Sequence, residues 1–122
     1  MYFPADIVKE ADYEHYLKYK GKGWVCEAEE QLVGFCLIDL VDKNVWALFV
    51  DPPFEGQGIG RQLHFLMMDW YFKNETATIW LGTGPGTRAE AFYLKAGWKA
   101  CGLMDNGELR FEMDYERWSN LN

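Results

Sequence analysis

The 122 residues suit one domain, long enough to bury roughly 65% of the surface its unfolded chain exposes. A hydrophobic share of 49% with 17% aromatics excludes a disordered tail, and no apolar run approaches the ~20 residues of a membrane-spanning helix. The net charge of −7 argues against a nucleic-acid partner, which needs a cationic face; it reads first as acidity for solubility and is compatible with steering of a cationic partner.

The chain opens on Met1-Tyr2-Phe3-Pro4, without the basic and apolar regions of a signal peptide, so a cytoplasmic protein is expected. Residues 4–20 read as a helix with Pro4 in its first turn and Gly21-Lys22-Gly23 as its stop. Residues 24–29 alternate as a strand, and residues 32–41 form a second, with Gly34 marking a bulge. Asp42-Lys43-Asn44 is a turn, and residues 45–50 are a third strand. A helix over residues 59–72 places Ile59, Leu63, Leu66, Met67 and Trp70 on one face. Residues 76–81 are a strand, followed by a glycine-rich connection and a helix capped by Thr87. Residues 98–104 are a strand, Asp105-Asn106-Gly107 is a hairpin turn, and residues 110–115 alternate as the last strand. The three cysteines, Cys26, Cys36 and Cys101, have no metal spacing and lie in strands, which predicts buried, reduced thiols. Trp24, Trp46, Trp80 and Trp98 lie in strands too, and core packing is the reading for all four. Trp46 is the one placed to line a binding pocket, because it precedes Leu48, Phe49 and Val50 at the approach to the glycine-rich turn.

The densest signal is Leu48-Phe49-Val50-Asp51-Pro52-Pro53-Phe54-Glu55-Gly56-Gln57-Gly58-Ile59-Gly60-Arg61. An apolar strand turns through glycines directly into a helix, so unpaired backbone N–H groups gather at the positive end of the helix dipole. That arrangement suits a phosphate or pyrophosphate, and glycine lets the ligand approach the backbone. The spacing G-x-G-x-G departs from the dinucleotide fingerprint G-x-G-x-x-G, and the Gly-Lys-Ser/Thr of nucleotide triphosphatases is missing from the chain.

The run resembles the signature of the GCN5-related N-acetyltransferases (GNAT), (Gln/Arg)-x-x-Gly-x-(Gly/Ala), with Gly58 and Gly60 as its glycines and Glu55 in the first position. A second stretch, Ala89-Glu90-Ala91-Phe92-Tyr93-Leu94-Lys95-Ala96-Gly97-Trp98, is similar to the family's late motif, Asn-x-x-Ala-x-x-Phe-Tyr-x-Lys-x-Gly-Phe/Trp. Here Thr87 and Glu90 read as a capping box and Gly97 as a left-handed C-cap. The family's asparagine falls on Gly86, which removes one side-chain contact to the cofactor. With the strand before the first motif, the resemblance covers residues from about 45 to 98.

The element order α-β-β-β-α-β-α-β-β predicts an α/β (α+β) fold, a mixed and mostly antiparallel central sheet of about six strands flanked by helices. It resembles the acyl-CoA N-acyltransferase fold with a shortened N-terminus, since the family carries another strand and helix before this point. A homodimer or strand exchange would cover the sheet edge this leaves exposed.

The resemblance implies an N-acetyltransferase. Acetyl-CoA would donate its acetyl group to a primary amine of a small molecule or peptide, by direct attack in a ternary complex and without a metal. It implies that Leu48, Phe49 and Val50 pair with the pantetheine arm, one of their N–H groups polarising the thioester carbonyl. Gly56, Gln57, Gly58, Ile59, Gly60 and Arg61 would hold the pyrophosphate, and Ala89 and Phe92 would line the cofactor. Tyr93 would protonate the departing thiolate, its pKa of ~10 lying close to the ~8.5 of a thiol. Residues 45–50 contain no acid to serve as general base. Glu27, Asp39, Glu112 and Asp114 are the carboxylates on strands, His64 reads as a structural histidine on the long helix, and His15 carries no signal. Two other readings stand beside the enzyme, a coenzyme A binder with weak or no activity that senses or regulates, and an interaction domain that keeps the fold alone.

Overall fold

A computed structural model describes residues 7–12 and 21–122. The chain divides into two compact units, the first ending at Asn74 and the second running from Glu75 to Asn122.

The first unit is an antiparallel meander of β1 (Ile7–Asp12), β2 (Gly21–Ala28), β3 (Gln31–Asp39) and β4 (Asn44–Val50), followed by a 3-10 turn at Pro52–Phe54 and helix α1 (Ile59–Asn74). The helix expected over residues 4–20 is corrected at residues 7–12, which form a strand. Ile7 and Val8 open that strand with β-branched residues, and it satisfies the backbone of β2 from Glu27 back to Lys22. The other residues of the expected helix lie outside those described. Strand β1 occupies the outer edge of β2. Gly21-Lys22-Gly23, expected as the stop of that helix, starts β2, opposite Leu37–Asp39.

Two bulges shape this sheet. Cys26 faces Gly34 while Glu27 faces Leu32, so Val33 is the extra residue, directly beside the predicted Gly34. Leu37 faces Ala47 while Ile38 faces Val45, which makes Trp46 extra in β4. Gly34 has a second role that the bulge does not explain. A Cβ there would stand 3.0 Å from the Phe49 carbonyl oxygen and 3.2 Å from both Ile59 and Leu63 side chains, so its absence lets α1 lie close against β3 and β4. The buried face of α1 holds Ile59, Leu63, His64, Met67, Met68, Tyr71 and Phe72. Leu66 and Trp70, expected on that face, are only half-buried. Trp70 packs edge-on against Trp24 at 5.7 Å, with the Lys22 ammonium 5.4 Å from its ring.

The second unit contains β5 (Ile79–Thr83), α2 (Arg88–Lys95), β6 (Lys99–Leu103), β7 (Leu109–Met113) and α3 (Tyr115–Leu121), with β7 antiparallel between β5 and β6. Ile79, Leu81, Phe111 and Met113 are buried on the sheet, and Trp98 follows α2 into the same core. Met104 and Glu108 close the hairpin through a 2.7 Å backbone bond, and Gly107 takes φ 87°. This is the three-residue loop with a left-handed glycine, a longer turn than the Asn-Gly pair suggests. The described residues thus hold seven strands where about six were expected. Helix α3 replaces the end of the predicted last strand, because the Asp114 carboxylate accepts from the Arg117 N–H at 2.7 Å and caps it.

Cys26 and Cys36 are buried, as predicted, but Cys101 is exposed, because the whole of β6 is a solvated strand. Trp24 and Trp98 belong to the core, Trp80 is half-buried under the Arg110 guanidinium at 4.5 Å, and Trp46 is 58% exposed, against the core reading. Among the described residues no helix is long and apolar enough to cross a membrane.

Candidate functional site

In the first unit the strand and the glycine turn meet around one contact. Val50 pairs with Gly34, and the Asp51 N–H donates to the Val33 carbonyl at 2.8 Å, which holds the end of β4 as the chain leaves the sheet. Pro52 and Pro53 then fix φ through the 3-10 turn, and the Glu55 N–H closes it on the Pro52 carbonyl. Gly56 and Gly58 take φ 80° and 85°, values that a β-carbon would strain, and the space where a Cβ of Gly56 would point is open.

Helix α1 begins at Ile59, whose buried side chain anchors the turn to the sheet. Its first described backbone bond runs from the Gln62 N–H to the Gly58 carbonyl at 3.0 Å, so the N–H groups of Ile59, Gly60 and Arg61 precede the helical ladder. The first turn carries no acidic residue, while Arg61 is exposed beside it. Glu55 is exposed too and stands outside the helix. A helix start with an open glycine turn, no acidic residue in its first helical turn and one arginine fits a pyrophosphate. Leu48 and Val50 are half-buried and Phe49 is 46% exposed, its ring 5.6 Å from Phe35.

The second unit carries Ala89, Phe92 and Tyr93. The Thr87 hydroxyl accepts from the Glu90 N–H at 3.2 Å and donates to the Gly84 carbonyl at 2.7 Å. The Glu90 carboxylate accepts from the Gly86 N–H at 2.6 Å, one residue earlier than the capping box predicts. At the other end, the Trp98 N–H reaches the Tyr93 carbonyl and the Gly97 N–H the Leu94 carbonyl, with Gly97 at φ 96°, a Schellman ending. Tyr93 is 6% exposed, and its ring contacts Phe92 at 5.2 Å, Trp98 at 5.5 Å and Phe111 at 6.3 Å. Ala89 and Phe92 are half-buried.

Among the carboxylates considered as a base, Asp39, Glu112 and Asp114 have the following structural partners. Asp39, itself buried, accepts from the Val41 and Asp42 N–H groups and caps the β3–β4 turn. Glu112 pairs with Arg110 at 2.8 Å, and Asp114 caps α3. Glu27 lies half-buried in β2. Burial lowers the His64 pKa to about 4, so the ring is neutral near pH 7, and it packs on the buried face of α1. His15 lies outside the described residues. Desolvation pushes the Cys36 thiol up to about 12, far from a reactive thiolate.

A mixed sheet whose strand passes through a glycine turn into a helix is the acyl-CoA N-acyltransferase class of fold. Solved structures share it. A PaiA N-acetyltransferase from Thermoplasma acidophilum in complex with coenzyme A matches with a TM-score of 0.72 at 18% identity, over 84% of this chain and 65% of that one. A GNAT family acetyltransferase from Elizabethkingia anophelis with acetyl-CoA bound gives 0.70 at 15% identity, over 89% and 99%. The ribosomal-protein-S18-alanine N-acetyltransferase from Escherichia coli gives 0.65 at 16% identity, over 88% and 92%. The chain therefore spans 65% of the length of the Thermoplasma enzyme. No curated protein matches it. The family model described as the acetyltransferase (GNAT) family matches residues 2–98, and the chain belongs to that family.

Proposed function

We propose that this chain is an acetyl-CoA-dependent N-acetyltransferase acting on a primary amine of a small molecule or peptide. The observation that carries the reading is the turn at Gly56 and Gly58, whose φ values of 80° and 85° deliver the chain into a helix start without acidic residues. Gly56, Gln57, Gly58, Ile59, Gly60 and Arg61 hold the pyrophosphate there, with backbone N–H groups as the main donors. Leu48, Phe49 and Val50 hold the pantetheine arm by strand-like pairing, and Ala89 and Phe92 line the cofactor from α2.

In the reaction the amine nitrogen attacks the thioester carbonyl carbon within a ternary complex. The C–N bond forms, the C–S bond breaks, and the electron pair leaves on sulfur. Tyr93 gives its proton to that thiolate, and the nitrogen loses one to a base. An N–H of residues 48–50 stabilises the negative charge on the carbonyl oxygen, a role worth ~3–4 kcal/mol for one donor. An alkylamine arrives protonated, and its deprotonation costs about 4 kcal/mol near pH 7.4. Aromatic packing fixes the Tyr93 ring, so it needs little reorganisation to act.

The second reading, a coenzyme A binder with weak or no activity in a regulatory or interaction role, draws on the same burial of Tyr93 and on the structural engagement of Asp39, Glu112 and Asp114. One set of measurements separates the two. Calorimetric titration with acetyl-CoA is expected to give micromolar binding that Gly58→Glu and Arg61→Glu weaken, with thermal melts confirming that both variants fold. Tyr93→Phe is expected to lower turnover on an amine panel while sparing acetyl-CoA affinity. Binding without turnover on any amine would favour the second reading, and no binding would defeat both.

A further inference from the structure

We infer that Arg117 of α3 is a positioning residue for Tyr93, pinning the end of the helix that carries the proposed proton donor. The inference rests on the acetyltransferase reading and adds a residue that lies outside both sequence motifs. Arg117 is itself held at two points. Its backbone N–H donates to the Asp114 carboxylate at 2.7 Å, and its Nε donates to the Gly97 carbonyl, 20 residues earlier in the chain. Leu121 follows one helical turn later on the same side of α3. It fills the space beside Gly97, where a Cβ would stand 2.6 Å from Leu121 Cδ1. Arg117 and Leu121 thus seat α3 on the corner that ends α2, and the intervening Trp118 is buried.

That corner lies next to Tyr93. Gly97 precedes Trp98, whose N–H closes on the Tyr93 carbonyl at 3.0 Å. The Trp98 ring, 2% exposed, stands edge-on to the Tyr93 ring at 5.5 Å, and Phe111 of β7 lies at 6.3 Å. The sheet sets these two neighbours, since Ala100 pairs with Phe111 just after Trp98. Helix α2 is outside that ladder, and its eight residues are too few for a helix to keep its place unaided. At its start, the Thr87 and Glu90 bonds reach only Gly84, Gly86 and each other, all within the same connection. At its end, Arg117 ties Gly97 to the continuation of β7, three residues beyond Met113 is the capped N–H of that same arginine, and Phe111 is in the same strand. The aromatic neighbours of Tyr93 and the helix that carries it are thereby referred to one strand.

A phenol that hands its proton to sulfur must hold its oxygen within hydrogen-bond reach, and a misplacement of about 1 Å costs up to ~10²-fold in rate. Arg117 is exposed, so its bond biases the arrangement moderately, by about fivefold. The role is geometric and needs a donor at the Nε position, not a charge. Glutamine places its amide nitrogen the same number of bonds from Cα as arginine places Nε, and methionine places a methyl there.

Arg117→Met and Arg117→Gln test the inference, with acetyl-CoA and the better of cadaverine and a lysine-containing peptide as acceptor. Arg117→Met is expected to lower kcat about fivefold with KM and acetyl-CoA affinity unchanged, and Arg117→Gln to keep most of the native rate. In the Tyr93→Phe background, Arg117→Met is expected to change kcat by less than about twofold, because the group it positions is gone. A general loss of folded protein would lower kcat equally in both backgrounds. Equal losses in the two backgrounds, a native kcat in Arg117→Met, or an Arg117→Gln chain as slow as Arg117→Met would each overturn the inference. A Tyr93→Phe chain with native turnover defeats the proton-donor reading separately. Where neither acceptor is turned over, the ring resonance of Tyr93 in isotope-labelled protein, assigned by its loss in Tyr93→Phe, still decides the contact. It is expected to move in Arg117→Met and to hold in Arg117→Gln, and an unmoved resonance in Arg117→Met counts against the inference.

Discussion

Gly34→Ala tests whether the glycine turn owes its position to the packing of α1 on the sheet. The new methyl would stand 3.0 Å from the Phe49 carbonyl oxygen, 3.2 Å from Ile59 Cγ2 and 3.2 Å from Leu63 Cδ1. The first of these is backbone in the β3–β4 ladder and cannot swing aside. The other two belong to the first turns of α1, so the methyl is accommodated only if the helix start moves outward by a few tenths of an ångström. Overpacking of this kind costs about 1–3 kcal/mol. Replacing glycine stiffens the unfolded chain and returns about 0.4–1 kcal/mol. The net expectation is a loss of ~1–2 kcal/mol, which corresponds to a fall in Tm of roughly 4–8 °C at this chain length. Urea unfolding and thermal melts read the stability, and titration with acetyl-CoA is expected to show weaker binding, since Ile59 opens the helix that carries the donors. Leu63→Val in the Gly34→Ala background relieves one contact, so the pair is expected to be non-additive by more than about 0.5 kcal/mol. A Gly34→Ala chain as stable as the native one, with equal acetyl-CoA affinity, would refute the argument, because α1 would then not be set by that contact.

Three further outcomes follow from local geometry. Burial lowers the His64 pKa from 6.5 to about 4, so between those values the unfolded chain binds a proton that the folded one does not. Its contribution is complete above pH ~6.5 and shrinks as the pH falls towards 4, by about 2 kcal/mol at pH 5, and urea unfolding of His64→Gln across pH 4.5–7.5 should lack this slope. Glu29 and Glu30 form the two-residue β2–β3 turn at φ 52° and 65°, so Glu29→Asn with Glu30→Gly is expected to raise stability by about 1–2 kcal/mol, and an unchanged Tm would contradict that. Gly86 sits at φ 76° with open space where a Cβ would point, a conformation that asparagine tolerates. Gly86→Asn should therefore fold normally and bind acetyl-CoA about 3–10-fold more tightly if it supplies the side-chain contact that family members have, whereas an equal Kd would mean that the contact does not form.

What the sequence made legible is what local chemistry decides. The caps of α2 are examples, since Thr87 and Gly97 act within a few residues of the backbone groups they satisfy, and both stand where the pattern put them. The glycine turn was readable for the same reason. The segment at residues 7–12 was not, because a run containing Ile7, Val8 and Ala11 with interspersed polar residues fits a helix or a strand about equally well. Its state is set by the edge of β2, a partner far along the chain. Helix α3 was missed although Asp114 is a capping residue, since the alternation of Phe111, Met113 and Tyr115 carried the strand pattern past its true end at Met113.

The same distinction runs through the candidate site. Glycines and caps announce where a phosphate fits, but whether an aromatic is core or contact depends on register, and one inserted residue reverses the answer. Trp46 and Trp24 look alike in sequence, each in a short apolar run. Trp24 keeps the regular pairing of β2 and is buried against Trp70, whereas the bulge in β4 turns Trp46 into the solvent. The bulge in β4 arises from the mismatch between two strands and, unlike the one beside Gly34 in β3, has no glycine to mark it. Whether Trp46 is core or surface therefore had to wait for the register of β3 against β4, while the turn was already legible in Gly56, Gly58 and Gly60.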